Sequence, residues 1–247
     1  MISKLCSRVL LAVLCALPAI RAMAAEAPTA ARLYAEYCAQ CHNAERLGAM
    51  GPALLPENLG RLKRDKALGV IRDGRIATQM PGFRDKLSDE QIKQLAELIY
   101  TPLPTVPRWG VEQMRASHVR HVKPGERLAD KPVFKVKDPL NLFIVVELGD
   151  HHATLLDGDR FEPIKRFPTR FALHGGPKFS PDGRFVYFAS RDGWISKFDI
   201  YNLRYIAEIR AGINTRNLAV SGDGRFVMVG NYLPHTLVVL DGKDLSP

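Results

Sequence analysis

Cys38, Cys41 and His42 are the residues whose types and spacing most plainly carry chemistry, in the run Cys38-Ala39-Gln40-Cys41-His42. Two thiols three positions apart can form thioether bonds to the two vinyl groups of one haem, and the histidine that follows can put an imidazole nitrogen on its iron. A Cys-x-x-Cys pair can also be a redox disulfide or half of a zinc site. Here the pair ends in histidine, and no second cysteine pair or His-x-x-x-His run lies nearby to complete a zinc shell. Of the four cysteines, Cys6 and Cys15 fall in an N-terminal leader, so nothing is left over for a structural disulfide. The sequence therefore predicts one covalent haem c.

Residues 1–25 have the form of a signal peptide. Lys4 and Arg8 supply a positive start, Val9 to Ile20 an apolar run, and Ala22-Met23-Ala24 a cleavage site. The run is short for a membrane span, an uncleaved anchor being the alternative, and no later segment is long and apolar enough. The chain is thus expected in the periplasm, with no transmembrane segment after cleavage. Its formal charge is +9, and Lys4, Arg8 and Arg21 account for three of that, leaving +6. The basic residues are spread rather than clustered, which does not indicate a nucleic-acid partner. A modest positive field suits anionic redox partners or an anionic cofactor.

The elements that must position the haem residues follow. Residues 28–37 read as a helix leading into the Cys-x-x-Cys-His run, and Arg64 to Ile71 as a second, closed by Asp73-Gly74. Ser88-Asp89-Glu90-Gln91 is a capping box, behind which Ile92, Leu95, Leu98 and Ile99 recur at helical spacing to about Tyr100. This organisation resembles a small class I cytochrome c domain over residues 26–102. Met80, in Gln79-Met80-Pro81-Gly82-Phe83, matches the family's Met-Pro pattern and is expected as the sixth ligand, a soft thioether that raises the potential. Met50 competes, but only seven residues separate it from His42 and the chain would have to reach the far haem face. Pro52 resembles the family's proline whose carbonyl holds the Nδ1–H of the histidine ligand, here His42.

Residues 103–139 read as a proline-rich linker or arm, and from Leu140 onward the composition is that of a β-protein. Leu142 to Leu148 and Ala153 to Leu156 are strands. Ser180-Pro181-Asp182-Gly183-Arg184-Phe185-Val186 then returns 41 residues later as Ser221-Gly222-Asp223-Gly224-Arg225-Phe226-Val227. Short strands joined by Asp-Gly turns at that period indicate propeller blades, a β-sandwich being the alternative. The expected fold is α + β and multidomain: an all-α cytochrome c domain, then the first two to three blades of a propeller over residues 140–247. A closed ring needs more, so the chain is expected to be part of a longer one.

A cytochrome c domain followed by such a propeller resembles the cytochrome cd1 family, which includes nitrite reductases and the dehydrogenase of haem d1 biosynthesis. The resemblance is carried by Phe171-Ala172-Leu173-His174-Gly175-Gly176, Ser190-Arg191-Asp192-Gly193 and Gly230-Asn231-Tyr232-Leu233-Pro234. It implies that His174 is the proximal ligand of a haem d1 iron. It also implies that Arg191 and Arg216 bind the macrocycle's carboxylates and that Tyr232 lines the pocket rim. Arginine forks pair bidentately with carboxylates, which suits a macrocycle bearing several. Gly175-Gly176-Pro177-Lys178 departs from the hydroxyl residue and arginine of the nitrite reductases. With Leu148-Gly149-Asp150-His151-His152 it favours the dehydrogenase, which oxidises dihydro-haem d1 and hands haem d1 on to nitrite reductase. Nitrite reduction, and a non-enzymatic cytochrome serving periplasmic electron-transfer proteins, are the other readings. The catalytic residues are not assigned. His118, His121 and the pair His151-His152 have no assigned role.

Overall fold

The computed structural model describes residues 27–105 and 107–247; the expected signal peptide lies outside them. Four helices form the first unit. α1 (Ala30–Tyr37) starts where the Thr29 side chain accepts the Arg32 N–H, and its last turn runs into α2 (Ala39–His42). α3 (Arg64–Asp73) ends at Gly74, whose φ of +75° favours glycine. α4 (Asp89–Tyr100) opens on the full Ser88/Gln91 capping box that its sequence predicts. Leu33 and Tyr34 of α1, Ala67 and Ile71 of α3, and Ile92, Leu95, Ala96 and Ile99 of α4 meet in one buried core. The apolar stripe of each helix therefore dictates the packing.

The second unit is three antiparallel sheets. β2 (Leu142–Glu147), β3 (His152–Asp157) and β4 (Glu162–Pro168) make the first. β5 (Lys178–Phe179), β6 (Phe185–Ala189), β7 (Trp194–Asp199) and β8 (Arg204–Arg210) make the second. β9 (Asn214–Val220), β10 (Phe226–Leu233) and β11 (Thr236–Asp241) make the third. The second sheet is the middle layer. Along β6, Val186 and Phe188 pack with Ala153, Leu155 and Phe167 of the first sheet. The intervening Tyr187 and Ala189 pack with Leu218, Val227, Val229 and Leu240 of the third. That is the period of two expected for a strand buried on both faces. The sheets do not close into a ring among the described residues.

The repeat has a local cause. In each copy the serine hydroxyl accepts the phenylalanine N–H at 2.9 Å, Phe185 to Ser180 and Phe226 to Ser221. Each aspartate takes the arginine N–H, Arg184 to Asp182 at 3.1 Å and Arg225 to Asp223 at 3.0 Å. Gly183 and Gly224 turn the chain at φ +71° and +72°. The register adds a third copy that the sequence reading passed over. Leu142 faces Asp157, Phe185 faces Asp199 and Phe226 faces Asp241, so these aspartates recur at the same place in each sheet, 42 residues apart. Each accepts the N–H two residues on, from Asp159, Tyr201 and Lys243.

The arm is ordered, with only short elements between its prolines. It holds α5 (Val111–Ser117) and β1 (Val119–Arg120), and β1 pairs with β8 as a fifth strand of the middle sheet. Met114 is buried in the β core, and the Trp109 indole N–H donates to Arg210 O at 2.8 Å. His118 and His121 are anchors here: His118 Nε2 lies 2.6 Å from Asp244 O and His121 Nε2 lies 3.0 Å from Glu208. The helical and β units also share an apolar seam of Ala53, Leu55, Ile213 and Leu233.

Candidate functional site

The first site is built on α2. His42 is buried, and its Nδ1 lies 2.8 Å from Pro52 O, so the ring holds its proton at Nδ1 and keeps the Nε2 lone pair for a metal. Burial lowers the His42 pKa, which the Pro52 bond partly opposes, and the neutral ring is the form that ligates. Gly51 backs directly onto this ring: a Cβ there would lie 2.5 Å from Cε1. The loop carrying Met50 is fastened on the same side, through Gly48 N–H to His42 O at 3.0 Å and Gly51 N–H to Cys41 O at 2.7 Å.

Met80 sits in a separate, tightly stapled loop packed against the helical core. Arg75 N–H donates to Met80 O at 3.1 Å, and Phe83 N–H to Ile71 O at 3.1 Å. Gly74 and Gly82 allow the two chain segments to touch, since a Cβ on either would meet backbone atoms at 2.7 to 2.8 Å. Cys38 and Cys41 are unpaired thiols, and burial pushes Cys38 up to about 11, aided by the neighbouring Cys41. A redox Cys-x-x-Cys pair needs the opposite, a depressed thiol pKa. The side-chain nitrogen and oxygen of Asn58 are buried without a partner, an orphaned pair of polar atoms that a polar edge of a bound group would satisfy. These residues fit a haem. Asn58 escaped the sequence reading because an asparagine in a loop has no distinctive spacing.

The second site gathers on the β unit. His174 lies in the loop between β4 and β5, where its N–H donates to Ala189 O at 2.7 Å. Its Nδ1 is 3.0 Å from Arg216 O on β9, which places the proton there and leaves Nε2 its lone pair. Arg216 NH1 is 3.0 Å from Nε2 and 3.5 Å from Nδ1. Being so nearly equidistant, it lies against the ring rather than along either nitrogen's axis. The same guanidinium is 6.0 Å from the centre of the Tyr232 ring on β10. Arg191, in the β6–β7 turn, is zipped in by backbone: its N–H donates to Ala172 O at 3.0 Å and its carbonyl accepts Thr215 N–H at 3.2 Å.

Gly175 and Gly176 have φ +85° and +72°, and a Cβ on Gly175 would collide with Asn217 at 2.4 Å. Lys178 closes the turn, its Nζ donating to Gly175 O at 2.7 Å and Gly176 O at 3.1 Å. Residues from two loops and two strands are thus joined, His174, Arg216 and Tyr232 through side-chain contacts and Arg191 through its backbone. Arg191 and Arg216 are exposed, and neither forms an ion pair with a carboxylate among the described residues. A histidine that keeps its Nε2 lone pair, with the unneutralised Arg216 guanidinium against its ring and the exposed Arg191 tied by its backbone to Ala172, fits an iron macrocycle bearing carboxylates.

Comparison with known proteins agrees with both halves. The family model "Cytochrome D1 heme domain" matches residues 137–247, and "Cytochrome C oxidase, cbb3-type, subunit III" matches residues 25–99. The dihydro-heme d1 dehydrogenase of Pseudomonas aeruginosa is 60% identical over 91% of this chain and 45% of its own length. The chain thus joins a cytochrome c domain to a cytochrome D1 heme domain and is related to cd1 nitrite reductase. A solved structure of dihydro-heme d1 dehydrogenase NirN in complex with DHE is also 60% identical, with a TM-score of 0.76 over 87% of this chain and 46% of that one. The nitrite reductase of Stutzerimonas stutzeri is more distant, 27% identical over 91% of this chain and 43% of its own. The chain therefore spans about half the length of the curated relatives it matches. Among the described residues no helix is long and apolar enough to cross a membrane.

Proposed function

We propose that the protein of which this chain is part oxidises dihydro-haem d1 to haem d1, with electrons collected by a covalent haem c in the helical unit. Cys38 and Cys41 would hold that haem, with His42 and Met80 on its iron. Residues 140–247 would be blades of a d1-type β-propeller, a reading supported by the equivalent register of Asp157, Asp199 and Asp241 in three face-packed sheets. His174 would hold the d1 iron through Nε2, with Arg191 and Arg216 on the carboxylates and Tyr232 at the rim. The observation that carries the reading is His174 itself, its Nδ1–H held by Arg216 O and an uncompensated guanidinium on its ring.

The chemistry removes two electrons and two protons from a propionate arm, giving an acrylate. This chain would bind one haem c, so each substrate molecule requires two transfers, one electron at a time. Identity of 60% to a dehydrogenase against 27% to a nitrite reductase favours this over nitrite reduction, which stays the second reading. Expected setting and partners are the periplasm, soluble electron carriers, and cd1 nitrite reductase as recipient of the product. The test is anaerobic addition of dihydro-haem d1 to full-length protein with its c haem oxidised. Two equivalents of reduced c haem should appear per molecule converted. A c haem that stays oxidised, while the reduced protein turns nitrite into nitric oxide, would favour the second reading.

A further inference from the structure

The structure also joins its two sites. Gln79 precedes Met80 and uses both ends of its side-chain amide on the turn between β2 and β3. Its Nε2 donates to Gly149 O at 2.7 Å, and its Oε1 lies 2.9 Å from His151 Nε2. Since that oxygen only accepts, His151 carries its proton on Nε2. Its Nδ1 is buried without a partner, so the ring has a single polar tie. The backbone at His151 is left-handed, with φ +60°, and its carbonyl accepts Thr169 N–H at 2.7 Å. The ring meets Phe171 edge-on, centroids 4.7 Å apart at 80°. Phe171 lies three residues before His174, in the loop whose Ala172 carbonyl takes the Arg191 N–H.

We propose that the Gln79–His151 hydrogen bond, backed by Phe171, is the positioning link that fixes the Met80 loop against the His174 loop and sets the rate at which electrons pass between the two haem sites. The inference rests on the two-haem reading above. From Met80 to Phe171 the route runs through one peptide bond, one hydrogen bond and one aromatic contact. Both ends are stiff: the Met80 loop because Gly74 and Gly82 are pressed together, the His174 loop because its N–H and the Ala172 carbonyl are each held by a neighbouring strand or turn. A stiff contact at a ligand loop has functional leverage that a surface contact of equal energy lacks. Gln79 and His151 are positioning residues; neither touches a reacting atom.

The test uses full-length protein carrying both haems, with an electron placed on the c haem by a photoreductant and followed to the d1 site by absorbance. Gln79→Leu removes both hydrogen bonds. His151→Phe keeps an aromatic ring beside Phe171 and removes the donor, whereas His151→Gln restores a donor at similar reach. Arg166→Ala is the control, because Arg166 braces the same turn through Glu147 and Asp150 without touching Gln79. Gln79→Leu and His151→Phe should slow the transfer about tenfold, the lower range for loss of a partner outside the ligand shell. His151→Gln should recover most of the rate, and spectra and haem d1 affinity should be unchanged. Unchanged rates in Gln79→Leu, or equal slowing in Arg166→Ala, would overturn the link and leave the function standing. Wild-type protein that binds no haem d1 would instead overturn the two-haem reading itself, and the link with it.

Discussion

The two sites are assembled in opposite ways. The proposed cytochrome site would pack its covalent attachments and one iron ligand into the five residues Cys38 to His42, which a helix turn holds together. The candidate β site draws His174, Arg191, Arg216 and Tyr232 from a span of 59 residues and from two loops and two strands, joined by backbone bonds such as Arg191 N–H to Ala172 O. Damage to the first should therefore act through chemistry at single residues. Damage to the second should act through the sheets that bring its parts together. This contrast can be broken or sharpened by experiment.

The largest effect belongs to the local site. Replacing Cys38 and Cys41 together with alanine should abolish covalent haem, read as haem staining after denaturing electrophoresis. Staining that persists would remove the basis of the comparison.

Next comes a residue outside both candidate sites. Asp199 is fully buried, accepts the Tyr201 N–H at 2.9 Å and pairs with Arg184 at 2.9 Å. Asp199→Ala strands a mostly buried guanidinium and should cost about 3 kcal/mol, at the lower end for a broken buried pair. Denaturant unfolding followed through β-sheet circular dichroism measures it. Haem d1 binding should weaken in step, because the sheet carries the loops of the second site.

A smaller effect separates the two methionines. Met80→Ala should remove the sulfur-to-iron band of the oxidised c haem and lower its potential, whereas Met50→Ala should change neither. The Met50 loop is fastened beside His42, the residue that would itself be the first ligand.

How much of this was readable from sequence follows the same division. The Cys-x-x-Cys-His run, the Ser88 capping box and the Ser-x-Asp-Gly-Arg turns are local patterns with local causes, and each appears in the structure as its spacing predicts. His174, Arg191, Arg216 and Tyr232 were legible only through resemblance, since nothing in a single chain shows that positions 174 and 216 share a hydrogen bond. In the arm the prolines do exclude long elements, but they gave no sign of the short α5 and β1, which the sheet edge and the Trp109 contact stabilise. The first copy of the repeat was missed because the loop before Leu142, Asp138-Pro139-Leu140-Asn141, lacks the serine and glycine of the later copies. Gln79 and His151 carried no signal because their partnership spans 72 residues and two units.

The smallest effect is a pH dependence in the β unit. Burial would raise the Glu208 pKa, but the Arg170 fork and the Ser196 and His121 contacts outweigh it and hold the carboxyl below its ordinary 4.5. A depressed folded-state value stabilises fully above the unfolded value and is lost as pH falls through the folded one. The Tm advantage of the wild type over Glu208→Gln should thus be constant above pH 4.5 and shrink below it. A gap that widened on acidification would reverse the assignment.

The most direct test of the β site is a titration of haem d1 into full-length protein, comparing wild type, His174→Ala and the Arg191→Ala/Arg216→Ala double variant at low and high salt. If His174 holds the iron, loss of its imidazole should change the spectrum of the bound macrocycle more than its affinity, because the charge-assisted contacts remain. Loss of both arginines should weaken binding, and the wild-type advantage should narrow as salt screens the exposed charges. A His174→Ala protein whose bound haem d1 has the wild-type spectrum would contradict the account.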